Sequence, residues 1–305
     1  MAKNKKNAVP AKAAGKTAKQ PKLSMASVVP LILILGLIPL VVHLQVVPLS
    51  ADVHPFWKEN HATDFFSYYK SRFLILTAIY MVFAFAYYKS QGLKDTIHKD
   101  KSMYVYFAGA AVFVLFAILS TLFAQYKTTA MWGAPERCEG LGMIVIYVMI
   151  MLYALWAYTH KPYFRYILLP LGVLTAITAF LGAFQFFGHD LFKTSFGQTF
   201  IIPAAYRAQG TLELLFERGK IYGTMYHYNY MGSFGAMIVP LFLVLSLFLK
   251  ERKHKIFCGI MTVLALFLLL GSTSRAGIIG LALAAVCFII FFGKKLMQHA
   301  KYTIV

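Results

Sequence analysis

The sequence predicts an all-α polytopic membrane protein with about eight transmembrane helices, both termini in the cytoplasm and a GT-C-like arrangement. Three observations carry this reading. Of 305 residues, 59% are hydrophobic and only 13% are charged, with a mean hydropathy of +0.65; an average soluble domain carries about twice that share of charge. The apolar residues arrive in runs of roughly 20, the length that crosses a bilayer core. The segments between the runs alternate in charge. A water-soluble enzyme is excluded.

Residues 1–24 hold seven lysines and no acid among small residues, which reads as a disordered basic cytoplasmic tail. No small-x-small cleavage site follows the first apolar run, so that run is expected to stay as an anchor. Residues 25–305 form the transmembrane domain, with apolar runs at 28–49, 73–88, 103–124, 141–159, 166–187, 229–249, 256–272 and 276–292. One alternate set of connections, comprising the tail, 89–102, 160–165, 250–255 and 293–305, carries 20 Lys plus Arg against three acids. The other set, 50–72, 125–140, 188–228 and 273–275, carries 10 against eight. Cytoplasmic loops concentrate Lys and Arg, so the first set is placed inside. The net charge of +19 is therefore mostly an orientation signal. The partner it implies is the lipid bilayer, and no nucleic acid is expected.

The outer segment 188–228 runs 41 residues and is rich in Phe, Tyr and Leu. Loops of that length are usually functional. Within it, Thr211 can cap a short helix that stops at Gly219, with Leu212, Leu215 and Phe216 on one face lying along the membrane interface. The runs themselves are nearly free of ionisable groups. His43 stands alone between Pro39 and Pro48 and reads as a packing or interfacial residue. Ion-coupled transporters line their path with charge, and no such relay is present. Cys138, Cys258 and Cys287 lack metal-ligand spacing, so no metal is expected.

Polar chemistry gathers at the outer ends of the runs. Four of them begin beside cations: Lys70 and Arg72, Arg137, Arg218 and Lys220, and Arg275. A cation at a helix N-terminus opposes the macrodipole, whereas a bound anion satisfies both. Gly271-Ser-Thr-Ser-Arg275-Ala-Gly277 places three hydroxyls, free amides and a guanidinium in one tight turn. Arg218-Gly-Lys220 through Tyr226, Asn229 and Gly232 adds cations, tyrosines that can stack on sugar rings, and an amide that can cap a helix or hold a ligand. Glu136-Arg137-Cys-Glu139-Gly140 opens the fourth run, either as a helix start with an internal ion pair or as part of a site.

Lys220-Ile-Tyr-Gly-Thr224, Asn229-Tyr-Met-Gly232 and Ser274-Arg275-Ala-Gly277, in this order and spacing, resemble the O-antigen ligase and O-antigen polymerase family, and Arg137 to Gly140 is similar to a form in its Gram-positive branch. The likeness covers 137–292. Lys220 stands where the family commonly has Arg, and only Asn229 of its Asn-Pro-Asn-like element matches. The resemblance implies a membrane-embedded glycosyltransferase of the bacterial cytoplasmic membrane. Its donor would be an oligosaccharide on undecaprenyl diphosphate, its acceptor a hydroxyl of a glycan, lipid or protein, and no cofactor would be needed. It implies Arg275 and Lys220 as the catalytic cations, with Arg218, Asn229, Ser274, Arg137, Glu139 and Tyr226 binding substrate. The family's outer loop bearing an acceptor-activating His falls after the last run, so the chain to Val305 reads as the donor-binding part. Two alternatives stay open: a non-catalytic membrane subunit, and a transporter of lipid-linked sugars.

Overall fold

The computed structural model describes residues 23–56, 59–92, 103–158, 164–207 and 219–303. Among the described residues, seven helices are long and apolar enough to cross a membrane: α2 (Tyr68–Ser90), α3 (Met103–Phe123), α5 (Leu141–Tyr158), α6 (Phe164–Phe186), α9 (Tyr228–Phe248), α10 (Arg252–Gly271) and α11 (Arg275–Thr303). The chain is thus a multi-pass helical membrane protein. Short helices α4 (Lys127–Trp132), α7 (Ser195–Ile201) and α8 (Ala204–Arg207) lie in the connections. The basic tail and the helix expected after Thr211 fall outside the described residues. Gly219, the expected stop, has φ +79°.

The first apolar run departs from expectation. It forms α1 (Val29–Leu40), about 18 Å long at 1.5 Å per residue and too short for a ~30 Å hydrocarbon core. Among the described residues, the eight expected spans are therefore corrected to seven plus this shorter helix. Pro39 lacks an amide donor, the helix tightens over Ile38–Leu40, and Val41 turns extended at ψ 119°. The chain then enters a two-stranded antiparallel ribbon, β1 (Gln45–Pro48) against β2 (His61–Asp64), with Gln45 opposite Asp64. Exposed backbone is costly in lipid, and here other segments satisfy it. The Pro39 carbonyl accepts from the Thr224 hydroxyl at 2.8 Å, His43 N donates to Phe65 O at 2.9 Å and Leu44 N to Ile201 O at 2.7 Å. The His43 imidazole packs at 5.2 Å from the Tyr69 ring.

The ends of the helices sort into two groups. At one end, Ser24 Oγ pairs with Tyr88 OH at 2.5 Å, Tyr153 OH donates to Ser27 O at 2.7 Å, and Tyr158 OH donates to Tyr166 O at 3.0 Å. These contacts join the start of α1 and α6 to the finish of α2 and α5 around buried Trp156 and Met81. At the other end, the starts of α2, α5, α9 and α11 meet the finishes of α6 and α10, tied by the contacts described below. Between them, α6, α9 and α10 enclose the larger core, with Leu174, Met231, Phe242, Ala265 and Leu268 buried.

Helices α9 and α11 approach through glycine. A Cβ on Gly277 would lie 2.7 Å from the Gly232 carbonyl oxygen, backbone that cannot swing aside, whereas one on Gly280 meets only Ala236 at 3.7 Å. Gly277→Val is expected to cost about 1–3 kcal/mol by overpacking and to lower the melting temperature in detergent. Gly280→Ala should leave it unchanged. Equal melts for the two variants would contradict this packing.

Candidate functional site

The site is built on residues 219–227, which pack onto the helix ends. Gly219 and Gly223 take φ values of +79° and +60°, the left-handed turns that glycine makes without penalty. Between them Ile221 is fully buried and its amide donates to Gly271 O at 2.9 Å. Glycine at 182 and 271 makes room for it, since a Cβ at either would come within 2.7 Å or 2.4 Å of its side chain. Gln185 at the end of α6 holds the next two residues. Its Oε1 accepts from Gly223 N at 2.7 Å and Tyr222 N at 3.3 Å, and its Nε2 donates to Gly223 O at 3.1 Å. The Tyr222 hydroxyl donates to the Asp190 carboxylate. Burial, reinforced by that carboxylate, pushes the phenol far above its ordinary range.

Gln185→Leu keeps most of the volume but strands two buried amides and a carbonyl. An unsatisfied buried group costs about 1–3 kcal/mol. Amide exchange at Tyr222 and Gly223 is expected to accelerate at least tenfold, with partial recovery in Gln185→Glu, which retains the acceptors. Unchanged exchange in Gln185→Leu would place the restraint elsewhere.

Between this segment, the start of α2 and the turn before α5 lies a cleft of about 220 Å³. Lys70 and Ser71 line one wall, Glu136 to Glu139 a second, and Met225, Tyr226 and Tyr230 a third. Lys70 Nζ donates to Thr224 O at 2.5 Å and sits 5.7 Å from the Phe66 ring. Tyr226 OH donates to Glu136 Oε2 at 3.0 Å. Arg137 Nη1 donates to Tyr230 OH at 3.0 Å, its guanidinium 6.0 Å from the Tyr226 ring. Burial, and then the Glu136 hydrogen bond, raises the Tyr226 phenol, so its proton stays in place at neutral pH. The turn is set by Gly133, with φ +88°, and by Cys138, with φ 54°. A Cβ on Gly133 would sit 2.1 Å from Glu139 N. Burial pushes the Cys138 thiol up, which keeps it from being the thiolate a nucleophile requires.

The sequence-predicted residues divide by placement. Arg137, Glu139 and Tyr226 share the cleft. Lys220 is half-buried, its ammonium 4.3 Å over the Tyr228 ring. Asn229 is exposed in the first turn of α9, and the cap foreseen for it is made by His227, whose Nδ1 accepts from Asn229 N at 3.1 Å. Ser274 is buried at 1% exposure under Gly232, and its Oγ accepts from Gly277 N at 3.3 Å. It caps the start of α11. Arg275 is exposed and makes no hydrogen bond or ion pair among the described residues. Arg218 lies outside them. In the turn before α5, the foreseen internal ion pair is replaced by the bonds to Tyr226 and Tyr230.

Sequence reasoning had Lys70 only as a cation near a helix start. Its place in the cleft depends on Thr224, 154 residues away, and nothing local signals that. The same holds for Gln185. Its separation from Gly223 is 38 residues.

Chemically, the arrangement offers exposed or partly exposed cations around helix N-termini, aromatic faces for a ring, and carboxylates that accept hydroxyl protons. No protein-family model, curated protein or solved structure matches the chain.

Proposed function

We propose that the chain acts on a lipid-linked glycan at the outer face of the bacterial cytoplasmic membrane, transferring the glycan from a polyprenyl diphosphate to an acceptor hydroxyl. One observation carries this reading: the N-termini of α2, α5, α9 and α11 stand at one end of the bundle with Lys70, Arg137, Lys220 and Arg275 near them, and there Lys70 and Arg137 line a cleft with Tyr226, Tyr230, Glu136 and Glu139. Helix N-termini and cations both favour a phosphate anion. The rings and carboxylates suit a sugar. The charge count supports an outward orientation for this end, because its connections belong to the set with few excess cations.

In this reading the acceptor oxygen attacks the anomeric carbon from the face opposite the leaving group. The new C–O bond forms as the bond to the diphosphate breaks, and its electron pair goes to the diphosphate. The hydroxyl proton passes to a cleft carboxylate. Arg275 and Lys220 hold the diphosphate as its charge develops, which is electrostatic stabilisation of the leaving group.

The test is reconstitution of the chain in proteoliposomes with an undecaprenyl-diphosphate-linked oligosaccharide and an acceptor glycan. Release of undecaprenyl diphosphate coupled to acceptor elongation is expected. Movement of the intact donor across the bilayer without release would favour a transporter. Donor binding with neither outcome would favour a non-catalytic subunit.

A further inference from the structure

A second cavity lies at the opposite end of the bundle and belongs to no part of the site above. It is an apolar groove of about 420 Å³ between α1 and α6, walled by Leu33, Leu37, Leu169, Val173 and Ile177, with Arg165 at its mouth. Gly36 forms its floor, where a Cβ would already touch Pro170 at 3.4 Å. Each helix has a π-helical turn here, Leu33–Leu37 in one and Phe164–Leu168 in the other, and such turns are frequent at functional sites. Leu37, Leu169 and Val173 are exposed, in a part of the molecule whose solvent is lipid.

We propose that this groove binds one acyl chain of an anionic phospholipid, with the headgroup phosphate paired to Arg165. Three features select that occupant. The groove follows α1, whose ~18 Å length is close to the depth of one leaflet of a ~30 Å core. Its mouth is at the end where Ser24 meets Tyr88, so a lipid of that leaflet enters headgroup last. Arg165 is exposed, with its guanidinium 5.8 Å from the Tyr166 ring and no acidic partner among the described residues. It is a planar fork suited to phosphate. The described residues at this end include Lys89, Lys250, Arg252, Lys253 and Lys255 against Glu251, which favours a net anionic headgroup over a zwitterionic one.

The inference is independent of glycan transfer, and its test measures lipid directly. The full chain is delipidated in detergent, offered phosphatidylglycerol or phosphatidylcholine in equal amount, and weighed by native mass spectrometry. The wild type is expected to retain one phosphatidylglycerol at least tenfold over phosphatidylcholine. Arg165→Gln should erase that preference. Val173→Trp, which fills the groove from its exposed side, should cut retention of both at least tenfold at an unchanged melting temperature, and Leu37→Trp serves if that variant is destabilised. Equal retention by all these proteins, a preference that survives Arg165→Gln, or displacement of the phospholipid by polyprenyl phosphate at equal concentration would overturn the proposal.

Discussion

Arg275→Ala is expected to reduce glycan transfer by about 10²–10³-fold, the usual effect of removing one donor aimed at developing negative charge, with insertion and melting temperature unchanged. The structure separates these outcomes. Arg275 is exposed at the start of α11 and touches no partner among the described residues, so its side chain contributes little to the fold. The helix cap beside it rests on Ser274, which keeps its bond to Gly277 N in the variant. The close packing of Gly277 on Gly232 is also untouched. Arg275→Lys should restore only part of the rate, because a point charge replaces a bidentate fork. The measurement is single-turnover release of polyprenyl diphosphate at saturating donor. Wild-type release from Arg275→Ala would remove this residue from the proposed diphosphate site, and a fall in melting temperature would assign it a structural role.

The helices were legible because a bilayer imposes length and apolarity on every span, and both are local properties of sequence. What made α1 illegible is that 28–49 is apolar but for His43 and Gln45, while its break depends on distant donors and acceptors. Pro39 was visible, but its consequence was not. The chain can stay extended from Val41 only because Phe65 and Ile201 accept its amides. The α7 helix could have been found from Thr194, whose hydroxyl caps Gly197 N at 3.0 Å, and from Phe196 and Phe200, one turn apart with rings 4.9 Å from each other. Arg137, Glu139 and Tyr226, which line one cleft, drew notice because charged and aromatic residues at the end of a span are conspicuous. Nothing in the sequence signalled that Ser274 is buried. Its burial is decided by Gly232, in another helix.

Asp64→Ala should be the most destabilising single change at this end of the molecule. Asp64 is buried at 3% exposure, at the finish of β2 just before α2. Its Oδ1 accepts from Phe66 N at 2.6 Å and Ser67 N at 2.8 Å, and its Oδ2 from Tyr68 N at 2.9 Å. One carboxylate thus satisfies the Ser67 and Tyr68 amides, which the start of α2 leaves without intrahelical partners, and the Phe66 amide just before it, and its charge complements the positive end of α2. Alanine strands all three, at about 1–3 kcal/mol for each buried amide before relaxation, so a loss on the order of 3–5 kcal/mol is expected. Asp64→Asn keeps one acceptor oxygen and should lose roughly half as much. The effect reaches the cleft because Lys70 and Ser71 stand in the first turn of α2, and Lys70 reaches Thr224 only from that register. Thermal unfolding in detergent, with transfer measured well below the melting temperature, separates the two consequences. The expected result is a lower melt together with slower transfer. A wild-type melt in Asp64→Ala would mean that the start of α2 is held by its packing against α5 and that the carboxylate is dispensable.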